Sequence, residues 1–268
     1  MEHTFVICAY KESPYLRECV ASLKQQSVTS NIILATSTPS PTLRALCEEE
    51  AITYLVREGT PGIAPDWNFA LSCADTPYIT IAHQDDIYYA DYTKQILKAV
   101  SGRSDALIAF SKYAELRNKM VAKKGLNMRI KETILAPLLL KGGAKSTFFK
   151  RWCIRFGNAI CCPTVTYCME PIRKYLDCIG QRELFRTHFR SNLDWETWEL
   201  LSRCPGSFLY VNQPLMSHRI HEDSETSATI ADHERGMEDY EMFQKFWPRW
   251  ISKWLSGFYG ASEKSNEV

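Results

Sequence analysis

The sequence predicts an α/β fold in which a mostly parallel sheet is flanked by helices. In the first hundred residues, short apolar runs rich in β-branched residues alternate with segments whose apolar residues recur at helical spacing. The strand-like runs are apolar at consecutive positions, as in strands that are covered on both faces. The chain has 268 residues, of which 45% are hydrophobic, so it is long enough to form the core that such a sheet needs.

Seven elements make up this alternation. The first strand is predicted at residues 4–9, and a helix follows at 15–25, where Leu16, Val20 and Leu23 share one face. Ligands of such sheets bind beyond the carboxyl ends of the strands, so the segments that follow each strand are the candidates for a site. The remaining predicted strands are 31–36, 52–56 and 78–82, and the remaining predicted helices are 42–50 and 65–74.

Charge, cysteine content and hydropathy narrow the class of protein. The 32 Lys and Arg residues nearly balance 31 Asp and Glu residues, so a nucleic-acid partner is not expected. The sequence shows no export signal and no apolar run of transmembrane length, which predicts a cytoplasmic protein. The ten cysteines are scattered without a Cys-x-x-Cys pair, so reduced thiols are expected rather than disulfides or zinc.

The C-terminal segment is strongly aromatic. Pro248 predicts a break or a new helix start within it, because proline lacks the donor for the preceding turn. Three interpretations stay open: packing on the main domain, self-association, or an amphipathic helix on an anionic membrane surface. The stripe consists of Phe243, Phe246, Trp247, Trp250, Ile251, Trp254, Leu255 and Phe258, with Lys245, Arg249 and Lys253 between them.

A polar cluster ends the apolar strand at residues 78–82. Residues two apart on a strand share a face, so His83 and Asp85 are expected to face one ligand while Gln84 and Asp86 point elsewhere. This pair suits a divalent metal that bridges two phosphates, because Mg²⁺ and Mn²⁺ need only one or two protein ligands there. Alternatively, Asp86 caps a helix predicted over 88–100. The cluster alone leaves both interpretations open.

This cluster resembles the metal-binding region of family-2 glycosyltransferases, in which an apolar strand is followed by Asp-x-Asp-Asp. The resemblance extends in order over residues 4–227, and the ordered set is more specific than any single motif. Its other parts are residues 5–12 (FVICAYKE) with the following helix, Gly62 and 68–71 (NFAL), 156–160 (FGNAI) with 163–165 (PTV), 193–198 (LDWETW) and 217–221 (SHRIH).

The resemblance implies a GT-A fold and transfer of a sugar from a nucleoside diphosphate to an acceptor hydroxyl, with inversion. The expected catalytic domain covers 1–227, and a change of pattern near Ser101 divides it into a nucleotide-sugar half (about 1–100) and an acceptor half (101–227). The aromatic stripe predicts a C-terminal helical region over 228–268. Asp194 would be the general base, with Glu196 in reserve, and the metal ligands would be Asp85, His83 and His221. The donor-binding residues would be Ala9, Tyr10, Glu12, Asn68, Gln84, Asp86 and Arg219.

The sequence departs from the family pattern at two places, and both limit what the resemblance implies. His83 stands where the family has its first metal-motif aspartate, which leaves the choice between Mn²⁺ and Mg²⁺ open. Residues 35–38 lack the usual acidic residue near the nucleoside, so the nucleobase is not predicted, although a UDP-sugar is favoured.

The expected context is assembly of bacterial cell-surface polysaccharide at the inner face of the membrane. The acceptor would be a saccharide or a lipid-linked saccharide, and the oligomeric state is not predicted. Two rival functions remain. A sugar-phosphate nucleotidyltransferase needs a glycine-rich loop after the first strand, which is missing here. A non-catalytic nucleotide- or carbohydrate-binding scaffold is kept open by His83.

Overall fold

The computed structural model describes residues 2–117, 120–122, 125–221 and 234–264. Within these residues, no helix is both long and apolar enough to cross a membrane. The strands are β1 (His3–Ala9), β2 (Asn31–Thr36), β3 (Thr53–Val56), β4 (Tyr78–His83), β5 (Ile87–Tyr88), β6 (Ala106–Arg117), β7 (Met120–Ala122), β8 (Val165–Cys168) and β9 (Ser207–Arg219). The helices are α1 (Leu16–Lys24), α2 (Pro41–Glu49), α3 (Ile63–Ser72), α4 (Tyr92–Val100), α5 (Leu126–Leu135), α6 (Thr147–Trp152), α7 (Met169–Cys178), α8 (Leu193–Arg203), α9 (Glu234–Gln244) and α10 (Arg249–Lys264), with short 3-10 turns at Ala136–Leu139, Gly143–Lys145 and Cys162–Thr164.

The strands of the described residues form one mixed sheet in the order β3-β2-β1-β4-β8-β6-β9-β5, and β7 pairs with β6. The first four strands in this order are parallel. β8 then runs antiparallel to both β4 and β6, whereas β9 runs parallel to β6 and antiparallel to β5. The predicted α/β fold is confirmed, with its parallel part confined mainly to the N-terminal half.

The seven N-terminal elements agree with the prediction, and no boundary differs by more than two residues. The expected helix over 88–100 begins only at Tyr92, because residues 87 and 88 pair with β9 as strand β5. The interpretation of Asp86 as a helix cap is therefore wrong. β9 was not predicted, and its pairing with β5 brings residues 216 and 217 next to the segment that follows β4.

Apolar clusters cover both faces of the sheet. Phe5, Leu23 and Tyr92 are central to the cluster on one face, and Trp195 and Trp198 to the cluster on the other. All five of these side chains are fully buried or nearly so. Cover on both faces is the physical reason for the consecutive apolar residues in the central strands.

The C-terminal aromatic stripe is divided between two helices and two environments. Pro248 separates α9 from α10, as predicted. Leu255 and Tyr259 pack against the core, while Trp250, Trp254 and Phe258 are 76%, 67% and 68% exposed. The packing interpretation therefore holds for one face of α10. The proposed domain boundary at 227/228 lies outside the described residues.

Lys150 is a buried cation that fixes the start of β9. Its Nζ donates to the carbonyl oxygens of Cys204 (2.6 Å) and Gly206 (2.9 Å), and the side chain is fully buried. Desolvation lowers the pKa of Lys150 to about 8. The charge is retained because two carbonyl dipoles replace part of the lost hydration.

Because Lys150 is buried, we expect the free energy of unfolding to change with pH in the alkaline range. An unfolded chain keeps the Lys150 proton up to about pH 10.5, whereas the folded chain releases it near pH 8. The free energy of unfolding should therefore rise through this window, by up to about 3 kcal/mol for this group. Urea unfolding at several pH values measures the slope in wild type and in Lys150→Met. Equal slopes in the two proteins would contradict the assignment.

Candidate active site

The carboxyl ends of β1, β2, β3 and β4 meet at one edge of the sheet, as expected for a ligand crevice. One carboxylate organises the loops there. Asp66, on α3, accepts hydrogen bonds from Arg57 Nε (2.6 Å), Ser37 Oγ (2.8 Å) and the backbone amide of Gly62 (3.3 Å). The loops after β2 and β3 are thereby held against the start of α3.

The loop after β1 crosses the same crevice. Lys11 adopts a positive φ of 56°, and its amide donates to Thr38 Oγ1 at 2.6 Å. This turn leaves Tyr10 41% exposed beside the crevice. The Tyr10 carbonyl accepts a hydrogen bond from Gln84 Nε2 at 3.0 Å. Ala9 is buried at the end of β1, and Glu12 is exposed. A flat, accessible ring in this position can stack on a nucleobase.

Three potential metal ligands converge after β4. The chain turns at His83, where the amide of Asp86 donates to the His83 carbonyl at 3.3 Å. The ligand atoms of His83, Asp85 and Asp86 all lie within 4.8 Å of one another. The expectation that Asp86 points away from the other two is therefore wrong, because strand alternation ends at His83.

The same cluster contains buried polar atoms that lack a partner. Among the described residues, His83 Nε2, Asp86 Oδ2 and Gln84 Oε1 are buried and have no hydrogen-bond partner. Buried polar atoms normally have partners, so such a group of atoms fits a site that a ligand completes. Imidazole nitrogen and carboxylate oxygen together suit a borderline divalent cation such as Mn²⁺.

The end of β9 supplies the partners of both aspartates. His221 Nε2 donates to Asp85 Oδ2 at 2.9 Å, and His218 Nδ1 donates to Asp86 Oδ1 at 3.0 Å. The amide of Arg219 donates to the same Asp86 oxygen at 2.9 Å, while its Nε donates to the Asp85 carbonyl at 2.8 Å. His221 thus contacts Asp85, whereas the group of ligand atoms within 4.8 Å of one another consists of His83, Asp85 and Asp86, so the role of His221 as a metal ligand stays a prediction.

Electrostatics keep Asp85 ionised. Burial alone would raise the pKa of Asp85, but His83, His218 and His221 outweigh it, and the pKa lies below its ordinary value. Desolvation acts to lower the pKa of His218, but Asp86 and Asp85 raise it to about 8. His218 therefore carries a positive charge at neutral pH, next to the two aspartates.

Two of the residues expected to contact the donor are engaged in other contacts. Asn68 Nδ2 donates to the Phe185 carbonyl (2.7 Å), and Asn68 Oδ1 accepts from the Phe185 amide (2.9 Å). The Arg219 guanidinium binds the Glu18 carboxylate and lies 4.3 Å from the centre of the Tyr15 ring. Both residues hold neighbouring segments in place in this structure.

Asp194 lies in the first turn of α8. The cap position is Asn192, so Asp194 is not the helix cap. Asn158 Nδ2 donates to Asp194 Oδ2 at 2.6 Å, and the amide of Trp195 donates to Oδ1 at 2.7 Å. Burial raises the pKa of Asp194, and these two donors together with Arg235 and His83 only partly oppose the rise.

Glu196 occupies a different environment. It is buried and faces the C-terminal region, where its Oε1 pairs with Lys245 Nζ at 2.9 Å and with Arg186 at 3.9 Å. The two carboxylates of the 193–198 motif are thus separated: Asp194 is paired with a neutral amide, and Glu196 is bound to cations.

Sequence reasoning missed several residues that shape the site. Asp66 and Trp67 belong to no motif that was singled out, yet Asp66 organises the crevice and the Trp67 ring lies 5.6 Å from the ring of His83. Asn158 and His218 lie inside segments that carried the resemblance to family 2. Their polar side chains within those segments were the signal that could have identified them.

Comparisons with known proteins agree with this geometry. The chain matches the family model described as Glycosyl transferase family 2 over residues 4–162. No match to the sequence was found among curated proteins.

Solved glycosyltransferases share the fold. A structure of S. aureus TarS (residues 1–349) in complex with UDP-GlcNAc superposes with a TM-score of 0.64 at 11% identity, over 100% of this chain and 74% of that one. The mannosyltransferase PcManGT from Pyrobaculum calidifontis, in complex with GDP-Man and Mn²⁺, gives a TM-score of 0.63 at 12% identity, over 100% and 76%. Since the family model spans more than half of the chain, the protein belongs to glycosyl transferase family 2 and is a glycosyltransferase with a GT-A fold.

Proposed function

We propose that this glycosyltransferase moves a sugar from a nucleoside diphosphate, with UDP favoured, to an acceptor hydroxyl with inversion, and that Asp194 is its general base. The observation that carries the proposal is the environment of Asp194: a half-buried carboxylate, oriented by Asn158, in the domain that also presents the histidine–aspartate cluster. Structural neighbours bound to UDP-GlcNAc and GDP-Man support a nucleotide-sugar donor.

Asp194 has the properties that a general base needs. Burial raises its pKa, so its carboxylate binds a proton more strongly than an ordinary aspartate does. The donors from Asn158 and Trp195 fix the orientation of both oxygens. Removing a proton from the acceptor hydroxyl in this way contributes about 10² to 10⁴ in rate.

His83, Asp85 and Asp86 are the residues that would hold a divalent cation. The hydrogen bond from His221 would keep the Asp85 carboxylate in position. A bound Mn²⁺ or Mg²⁺ supplies positive charge to the leaving diphosphate. His218 adds a second positive charge that the chain itself provides. The Tyr10 ring would contact the nucleobase, and the hydrogen bond from Gln84 to the Tyr10 carbonyl supports this role by fixing the backbone.

The proposed acceptor is a saccharide, carried by a lipid at the cytoplasmic face of the membrane. The support comes from α10, whose exposed face presents Trp250, Trp254 and Phe258 together with exposed Arg249 and Lys253. Aromatic side chains beside cations suit the boundary region of an anionic bilayer.

The first prediction concerns the base. Asp194→Asn should lower kcat at least about a hundredfold because the amide cannot accept the proton. Donor affinity should be unchanged, and the melting temperature should not fall, because a neutral amide avoids the cost of a buried charge. Glu196→Gln is the matched control, since it makes the same change two residues away and should keep a clearly higher kcat. The opposite order of rates would make Glu196 the base.

The second prediction concerns the cation and the donor. Thermal unfolding with UDP, GDP, CDP or dTDP should show stabilisation by one nucleotide that requires Mn²⁺ or Mg²⁺ and is lost in EDTA. At about a hundred times the Kd, the stabilisation would be about 2.7 kcal/mol. Asp85→Ala should abolish the metal-dependent part, whereas Asp75→Ala, which removes an exposed carboxylate before β4, should not. An Asp85→Ala protein that responds like wild type would exclude Asp85 from the site.

The third prediction concerns the membrane. The Trp250→Ser/Trp254→Ser double variant should bind anionic phosphatidylglycerol vesicles at least about tenfold more weakly, because each buried aromatic side chain contributes about 1.5–3 kcal/mol. Leu126→Ser is the control, since Leu126 is 77% exposed on α5. Co-sedimentation measures both. Equal binding by the wild type and the double variant would rule out this face.

A further inference from the structure

The C-terminal helix pair, α9 and α10, contacts both of the segments that hold Asp194. One segment is the chain that enters α8, residues 190–192, and the other is the loop at 157–158 that carries Asn158. The two donors to the Asp194 carboxylate come from α8 itself and from this loop. The position of Asp194 relative to Asn158 therefore depends on what holds these two segments.

Glu238 of α9 holds the first segment. Its carboxylate accepts from three consecutive backbone amides: Arg190 at 2.7 Å, Ser191 at 2.9 Å and Asn192 at 2.9 Å. Next to it, Asp239 is buried and accepts from Asn192 Nδ2 at 2.8 Å. The amides at a helix start have no partner inside the helix, and side chains commonly satisfy them. Here that role falls to α9, which is distant in sequence.

Lys245, which follows α9, makes a further contact with the same helix. Its Nζ pairs with Glu196 Oε1, two residues after Asp194, and this carboxylate is almost fully buried. Breaking such a pair would leave a buried charge without compensation, which is costly. The first turn of α8 is thus held to the helix pair on two sides.

Tyr259 of α10 holds the second segment. Its hydroxyl accepts from the Asn158 amide at 3.3 Å. Its ring fills the space beside Gly157, where an added Cβ would lie 2.5 Å from the ring. Gly157 has a φ of 137°, which favours glycine. The ring also contacts Trp195 and Phe243 at centroid distances of 5.8 and 5.9 Å. The loop at 157–158 therefore packs against Tyr259.

We propose that the C-terminal helix pair positions the catalytic base, with Glu238 and Tyr259 as the positioning residues that align Asp194 with Asn158. The inference rests on the proposed role of Asp194. Each acts through the backbone amides that it binds, at Asn158 for Tyr259 and at residues 190–192 for Glu238. Small displacements of a reacting group of about 1 Å reduce rates by about a hundredfold, so partial loosening of either segment should reduce turnover measurably.

The test compares Tyr259→Phe and Glu238→Ala with two matched controls. Tyr54→Phe removes a buried hydroxyl that has no hydrogen-bond partner among the described residues, and Met237→Ala truncates a side chain of α9 that is 68% exposed. We expect both test variants to lower kcat about tenfold with unchanged donor Kd, while the controls stay close to wild type.

The pH profile of kcat separates positioning from general loss of structure. A looser Asn158 donates more weakly to the Asp194 carboxylate, so the pKa of Asp194 should rise and the acidic limb of the profile should move to higher pH. An enzyme that is only less stable would have a lower maximal kcat, with the acidic limb of the profile at the same pH as in wild type. A lower kcat with an unmoved acidic limb would therefore overturn the inference.

Asp194→Asn distinguishes the inference from the proposed function. If Asp194→Asn is inactive while Tyr259→Phe and Glu238→Ala behave like wild type, only the positioning role fails. If Asp194→Asn turns over normally, the base assignment fails, and the positioning role fails with it. Circular dichroism and thermal unfolding confirm that each variant is folded, and Tyr259→Phe, which removes a single oxygen, decides the outcome if Glu238→Ala does not fold.

Discussion

The rest of the site depends on the hydrogen bonds that the buried carboxylate of Asp86 accepts. Its side chain is 0% exposed, and an unpaired charge in such a place would be too costly to keep. The end of β9 provides its partners, through the His218 ring and the Arg219 amide. The same contacts bring His221 to Asp85. One buried charge thereby joins the loop after β4 to a strand more than a hundred residues later.

Asp85 and Asp194, the two aspartates proposed to act in the site, show how environment separates the properties of identical side chains. Asp85 is surrounded by three imidazoles and remains a carboxylate at lower pH than usual. Asp194 is half-buried next to a neutral amide, and desolvation makes it hold a proton more strongly than usual. A low pKa suits a ligand that must stay anionic, and a raised pKa suits a group that must accept a proton.

The sequence was most informative where structure is local. The elements from β1 to β4 were predicted to within two residues because each is determined by its own periodicity and by cover on both faces. β5 and β9 were missed, since each is stabilised by partners far away in the chain. For the same reason the turn of Asp86 toward His83 was not predicted: the contacts that impose it come from His218 and Arg219. His83 and Asp85 were paired from strand periodicity, whereas His221 was added only through resemblance to a family, and no local pattern indicates that His221 lies 2.9 Å from Asp85.

The contact between Gly157 and Tyr259 also constrains how this chain can change over evolutionary time. The two positions are far apart in sequence, yet the glycine leaves the space that the tyrosine ring occupies. Because a φ of 137° strains any side chain at 157 whatever the space around it, this position is expected to stay glycine. A change in this loop would therefore also disturb the C-terminal helix whose tyrosine ring fills the space beside Gly157.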